Sequence, residues 1–280
     1  MVNHEFSLES DIPATMTTPQ GGGPFPATLL LHGTASHRDE VGGMFADLAQ
    51  VLAERGIASL RIDFAGCGAS PRPQTDYTVT SQLSDARAAH RWLRDHDDID
   101  PTRLGVLGFS QGGVIASLLA GAEHRVRAGS AGSTDAAGTT ALATWSSGII
   151  PTARTGFGYF APAFADGADQ AVVDLGFSRF TFSRAWWEEI LRLDLPGALD
   201  DLDIPVLAVA GSADTIVPPA ASLALIEAVA SPDLTYVQIP EADHIFSVLD
   251  DGGGQSASVI TTTADWFADR LTARQGGAAR

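Results

Sequence analysis

The stretch Gly108-Phe109-Ser110-Gln111-Gly112-Gly113 follows the apolar run Leu104-Gly105-Val106-Leu107 and leads into Val114-Ile115-Ala116. A serine between glycines at this spacing is cheap by chance. With 29 Gly in 280 residues, a G-x-S-x-G arises from composition alone in roughly one such chain in five. Context decides its reading. A short apolar run before it reads as a buried strand, and residues 114–120 continue as a helix. In such a strand–turn–helix, glycines at 108 and 112 remove side chains that would collide across the turn. The Ser110 hydroxyl is then pushed out above the sheet. The helix N-terminus behind it offers backbone N–H groups to a developing negative charge. The competing reading is a plain glycine-rich turn.

Working outward, further apolar runs alternate with helical patterns. Residues 27–32, 57–63, 103–109, 126–131, 204–211 and 234–240 read as strands. Residues 44–55, 79–93, 220–230 and 256–271 read as helices, the first two by apolar spacing at helical period. Residues 5–10 and 14–18 read as edge strands around Pro13. Continuous apolar strands separated by helices predict a mostly parallel sheet covered on both faces. The stretch 132–200 breaks the alternation and carries ten of the chain's 21 aromatic residues (13 Phe, 5 Trp, 3 Tyr). It reads as an insertion, with 1–131 and 201–280 forming the core.

Composition narrows the function classes. The chain is 45% hydrophobic and 18% charged, as expected of a globular protein with a substantial core. No apolar run reaches the ~18 residues of a membrane span. The N-terminus lacks a basic start followed by an apolar stretch, so a cytoplasmic location is expected. A net charge of −17 opposes nucleic-acid and anionic-membrane partners. All 17 basic residues are Arg, which fits either a salt-adapted surface or a coding bias. Cys67 is alone, so no internal disulfide and no cysteine metal cage is expected. The acidic run 95–101 reads as a solvated loop and Asp63 as a brace for the loop after its strand.

The serine turn between strand and helix resembles the nucleophile elbow of the α/β-hydrolase superfamily. The implied fold is an α/β-hydrolase fold: a mostly parallel central sheet with helices on both faces and a cap insertion. In that fold the order is Ser, then Asp or Glu, then His. Only His124 and His244 follow Ser110. His124 falls between the elbow helix and the next expected strand, at the wrong end of the sheet. His244 follows the last strand, at the carboxyl end where ligands sit, and is the expected base. Asp214, in the loop after 204–211, is the expected acid. Asp200, Asp201 and Asp203 precede that strand, and Glu241 and Asp243 crowd the histidine loop. The expected oxyanion donors are the backbone N–H groups of Gln111 and Thr34. His32 is expected to anchor its own loop.

Further motifs narrow the resemblance. "LLLHGT" (29–34), "IASLRIDFAGCGAS" (57–70), "GFSQGGVIASLLAG" (108–121), "GSADTIVP" (211–218) and "EADHIF" (241–246) resemble those of the bacterial cinnamoyl/feruloyl esterases. The resemblance implies a serine carboxylic-ester hydrolase without cofactor, acting on a small-molecule ester; a homodimer is compatible with it. It implies Asp135 as a match to the polar cap residues that hold a phenolic group. Phe157 or Tyr159 is the expected apolar substrate contact, and aryl or medium-chain acyl esters the expected substrates. Two alternatives stand beside it. A serine peptidase on the same fold would need an acidic clamp, for which Glu188-Glu189 is available. A non-catalytic binding protein would be expected to lack a triad member.

Overall fold

The computed structural model describes residues 1–129, 138–149, 158–251 and 254–272. Among the described residues, ten strands are formed by β1 (Val2–Leu8), β2 (Ile12–Thr18), β3 (Phe25–Leu31), β4 (Ala58–Ile62), β5 (Ile99–Phe109), β6 (Thr139–Trp145), β7 (Gln170–Asp174), β8 (Arg179–Ser183), β9 (Val206–Gly211) and β10 (Leu234–Ile239). The helices are α1 (Met44–Glu54), α2 (Val79–Arg94), α3 (Gln111–Gly129), α4 (Arg184–Leu191), α5 (Leu195–Leu199), α6 (Pro219–Ala228) and α7 (Ser256–Leu271). Eight strands make one sheet in the order β1-β2-β4-β3-β5-β6-β9-β10, and β7 and β8 form a separate antiparallel hairpin. The β1/β2 and β2/β4 pairs are antiparallel; every later pair in the large sheet is parallel.

The strands are apolar on both sides, because both sides are covered. Leu29, Leu31, Val106, Leu142, Val206 and Ala208 pack with Ala86 and Ala89 of α2, Ile115 and Leu119 of α3 and Leu225 of α6. Their neighbours Leu30, Leu107, Ala143, Leu207 and Val209 pack on the other face with Phe45 and Leu48 of α1 and Ile260 and Phe267 of α7. The period of two that assigns side chains to alternate faces is thus read by two helical layers.

Register brings the carboxyl ends of the parallel strands together. Leu31 pairs with Gly108, Phe109 with Trp145, Trp145 with Val209 and Gly211 with Ile239. The loops that follow β3, β5, β6, β9 and β10 therefore open at one end of the sheet.

One expected strand is not where the sequence pattern put it. Residues 126–129 continue α3, and Val126 is exposed, whereas a central strand would bury it. The strand after α3 is β6, whose side chains are buried along nearly its whole length. The insertion between β6 and β9 consequently starts after Trp145, not at 132. Trp145 belongs to the core, where its indole N–H donates to Thr263 Oγ1 at 2.8 Å.

Candidate active site

Ser110 sits between β5 and α3 with φ 52°, in the left-handed region that non-glycine residues avoid. Its backbone N–H donates to the Trp145 carbonyl at 2.8 Å, which fastens the turn to β6. A Cβ on Gly108 would strike the Gly112 carbonyl, and one on Gly112 the Leu31 carbonyl. Close approach of turn, helix and neighbouring strand is thus bought by glycine at both positions. Backbone strain at a functional turn is held by such surroundings.

The structure brings Asp214 and His244 to this serine from the loops after β9 and β10. His244 Nε2 lies 3.1 Å from Ser110 Oγ, and His244 Nδ1 lies 2.8 Å from Asp214 Oδ2. Asp214 is buried, and its Oδ1 accepts the backbone N–H groups of Ile216 and Val217, each at 2.9 Å. A proton on Nδ1 donated to this carboxylate leaves the Nε2 lone pair facing the serine hydroxyl. The imidazole also rests against the Phe109 ring, with centroids 5.2 Å apart. Asp243 is engaged elsewhere: its Oδ1 accepts the N–H groups of Ile245 and Ser247 at 3.0 and 2.7 Å. His124 lies on α3 rather than in a loop, 3.2 Å from Asp203, away from these strand ends.

Thr34 and Gln111 also meet here. The Thr34 hydroxyl donates to Gln111 Oε1 at 3.1 Å. Gln111 opens α3, so its N–H is among the four that a helix leaves without an internal acceptor. His32 is fully buried and anchors two loops. Its Nδ1–H donates to the Gly33 carbonyl at 2.8 Å, and its Nε2 accepts the Phe64 N–H at 3.1 Å. Burial lowers its pKa, which favours the neutral ring those two bonds require. Asp63 braces the neighbouring loops by accepting the N–H groups of Arg38 and Ala69 at 2.6 and 2.9 Å. Burial pushes the Cys67 thiol well up, which fits packing rather than nucleophilic chemistry.

Two buried polar side chains that the sequence reading passed over touch these loops. Gln82 accepts from Gln111 Nε2 at 3.2 Å. Its spacing from Val79, Ala86, Ala89 and Leu93 places it on the buried face of α2, and a polar residue on such a face requires a partner. Glu40 accepts the Gly33 N–H at 2.7 Å. No periodicity marks it, because it lies in a loop.

Ser110, His244, Thr34 and Gln111 line a cavity of about 1700 Å³. Its remaining wall is mainly apolar: Phe109, Val114 and Val217 from the core, with Phe160, Leu175, Phe177, Ile190 and Leu195 from the insertion. Tyr159 lines it too, and its hydroxyl donates to the Asp174 carbonyl. Asp135 and Phe157 lie outside the described residues. Phe164, Phe180, Phe182, Trp186 and Trp187 are buried in the insertion, where Phe164 stacks on Trp187 and Phe182 tilts against Trp186. Glu189 accepts the N–H and hydroxyl of Thr80 at 3.0 and 2.6 Å, and Glu188 pairs with Arg192 at 3.3 Å. Neither belongs to the cavity wall.

A family model described as "Alpha/beta hydrolase family" matches residues 28–257. Esterase EstD of Thermotoga maritima is 33% identical over 128 residues, 42% of this chain and 31% of that protein. An uncharacterized protein of Mycobacterium tuberculosis, Rv2307c, is 36% identical over 99 residues, 35% of this chain and 33% of that protein. The matched segments thus span about a third of these curated relatives. Among solved structures, Est1E from Butyrivibrio proteoclasticus with bound ferulic acid superposes with a TM-score of 0.77. It is 22% identical, with 96% of this chain and 99% of that chain covered, a likeness of fold.

Proposed function

The chain belongs to the alpha/beta hydrolase family, and on that premise we propose that it is a serine carboxylic-ester hydrolase for aryl or medium-chain acyl esters. The observation that carries the reading is the continuous chain Ser110 Oγ, His244, Asp214 at 3.1 and 2.8 Å, opening into a largely apolar cavity. A serine hydroxyl is a weak nucleophile until a base takes its proton, and that base needs an orienting acid.

In the reaction, Ser110 Oγ attacks the ester carbonyl while its proton passes to His244 Nε2. Asp214 holds the ring and stabilises the imidazolium. The carbonyl oxygen, now negative, faces the Gln111 and Thr34 N–H groups, which stabilise the transition state more than the ground state. Collapse expels the alcohol, which takes the proton from His244. Water then attacks the acyl-enzyme, giving its proton to His244, and the acid leaves as Ser110 Oγ regains that proton.

The peptidase alternative has less support. Its acidic clamp would be Glu188-Glu189, and both are held by Arg192 and Thr80 outside the cavity wall. The location that goes with the proposal is the cytoplasm, and the partner a small-molecule ester. The test is a panel of nitrophenyl acetate, octanoate and cinnamate esters beside aminoacyl anilides. Ester turnover with higher kcat/KM for octanoate or cinnamate is expected, since a well-filled apolar group contributes about 1–3 kcal/mol. Turnover of anilides alone would overturn the reading, and equal efficiency on all three esters would remove the acyl preference.

A further inference from the structure

We propose that Glu40 is a positioning residue for the oxyanion side of this site, an inference that rests on the serine-hydrolase reading above. Glu40 is 3% exposed, yet among the described residues no Arg or His forms an ion pair with it. Its carboxylate is held by dipoles alone. Oε2 accepts the Gly33 N–H at 2.7 Å, and Oε1 accepts the Ser36 hydroxyl at 2.6 Å and the Val41 N–H at 2.9 Å. A buried carboxylate is tolerated only when its lone pairs are met in this way.

Those contacts bracket Thr34. The Gly33 carbonyl and the Thr34 N–H belong to one peptide plane and point in opposite directions. That carbonyl accepts from His32 Nδ1 at 2.8 Å and from the Ser36 N–H at 3.4 Å. Glu40 fastens the loop before and after this plane, at Gly33 through its N–H and, two residues past Thr34, at Ser36 through its hydroxyl. With the loop tied on both sides of Thr34, the plane that carries its N–H has little freedom to rotate. The loop does not adopt this shape by local preference. Ala35 and Glu40 both have positive φ, 54° and 61°, which costs a non-glycine residue free energy and needs an external constraint. The Glu40 carboxylate supplies that constraint, and both Thr34 and Glu40 lie on the wall of the cavity that holds Ser110.

A charge fixed in the ground state for this purpose affects the step in which the oxyanion forms. It leaves initial docking of the ester largely alone. The test compares wild type, Glu40→Gln and Ser36→Ala, the last a milder cut that retains the carboxylate. Each is titrated with a fluorophosphonate to count reactive sites. Then kcat per titrated site, KM on a nitrophenyl ester and the inhibition constant of a trifluoromethyl ketone, which adds to serine as an oxyanion, are measured. Expected is a fall in kcat of roughly 10- to 100-fold for Glu40→Gln, less than removal of a donor outright. A smaller fall is expected for Ser36→Ala, with KM within about threefold and ketone affinity falling in step with kcat/KM. A merely structural Glu40 would instead lower the titrated fraction and melting temperature while kcat per site stayed at the wild-type value, and that result would overturn the proposal. Absence of fluorophosphonate reaction in the wild type is a separate outcome: it would overturn the serine-hydrolase reading itself and the role of Glu40 with it.

Discussion

Asp214 divides one carboxylate between two tasks. Oδ1 closes its own loop by accepting from Ile216 and Val217, and Oδ2 faces His244. Because the group is buried, no water competes for the second oxygen, and the imidazole is held in a single orientation. Asp214→Asn preserves shape but can present an amide N–H to the ring, which favours the wrong tautomer. The expected loss is on the order of 10⁴ in kcat with an unchanged circular-dichroism spectrum. Residual activity above a tenth of wild type would exclude Asp214 as the orienting group. Both Asp214 and His244 were legible in the sequence, because strand order along the chain assigns each loop to an end of the sheet. Glu40 was not legible. Its partners are the Ser36 hydroxyl and backbone groups of Gly33 and Val41, and a loop carboxylate bonded mainly to main chain leaves no pattern in residue types.

At the scale of elements, the insertion between β6 and β9 departs furthest from the sequence reading. The run Thr139–Trp145 is a central strand, and its threonines and alanines lack the bulky apolar signature of its neighbours. They fit because β6 lies between β5 and β9, where a thin strand lets helices on both faces approach closely. Most of the described aromatics of the insertion are buried within it. Phe177 is different. It occupies the turn between β7 and β8, is 72% exposed, and lines the cavity. Phe177→Ser should therefore leave the melting temperature unchanged. It should lower kcat/KM for a cinnamate ester by roughly 10-fold while sparing the acetate, the range expected for one apolar contact. An equal fall for both esters would mean that Phe177 does not read the acyl group.

Across the whole molecule, the two helical layers leave few polar groups between them and the sheet, and His90 is one. It lies on α2, 1% exposed, with Nε2 3.3 Å from Thr139 Oγ1. Glu123 is 4.0 Å from its Nδ1, but burial dominates, with Arg94 and Arg91 adding to it, and lowers the pKa from 6.5 to about 4. The unfolded chain therefore binds the proton first as pH falls. The neutral ring's contribution is complete above 6.5 and is lost progressively between 6.5 and about 4. The difference corresponds to about 3 kcal/mol at most. Denaturant midpoints measured at pH 7, 5 and 4 should fall along that window, and His90→Gln should flatten the fall. Identical pH slopes in wild type and variant would assign the acid sensitivity to other groups.

The most direct measurement of the central claim is intact-protein and peptide mass spectrometry after reaction with a fluorophosphonate. The account predicts one adduct per chain, located on Ser110. Labelling should be absent in Ser110→Ala and slowed by orders of magnitude in His244→Ala, both variants remaining folded. An adduct on another residue, or undiminished labelling of Ser110→Ala, would contradict it.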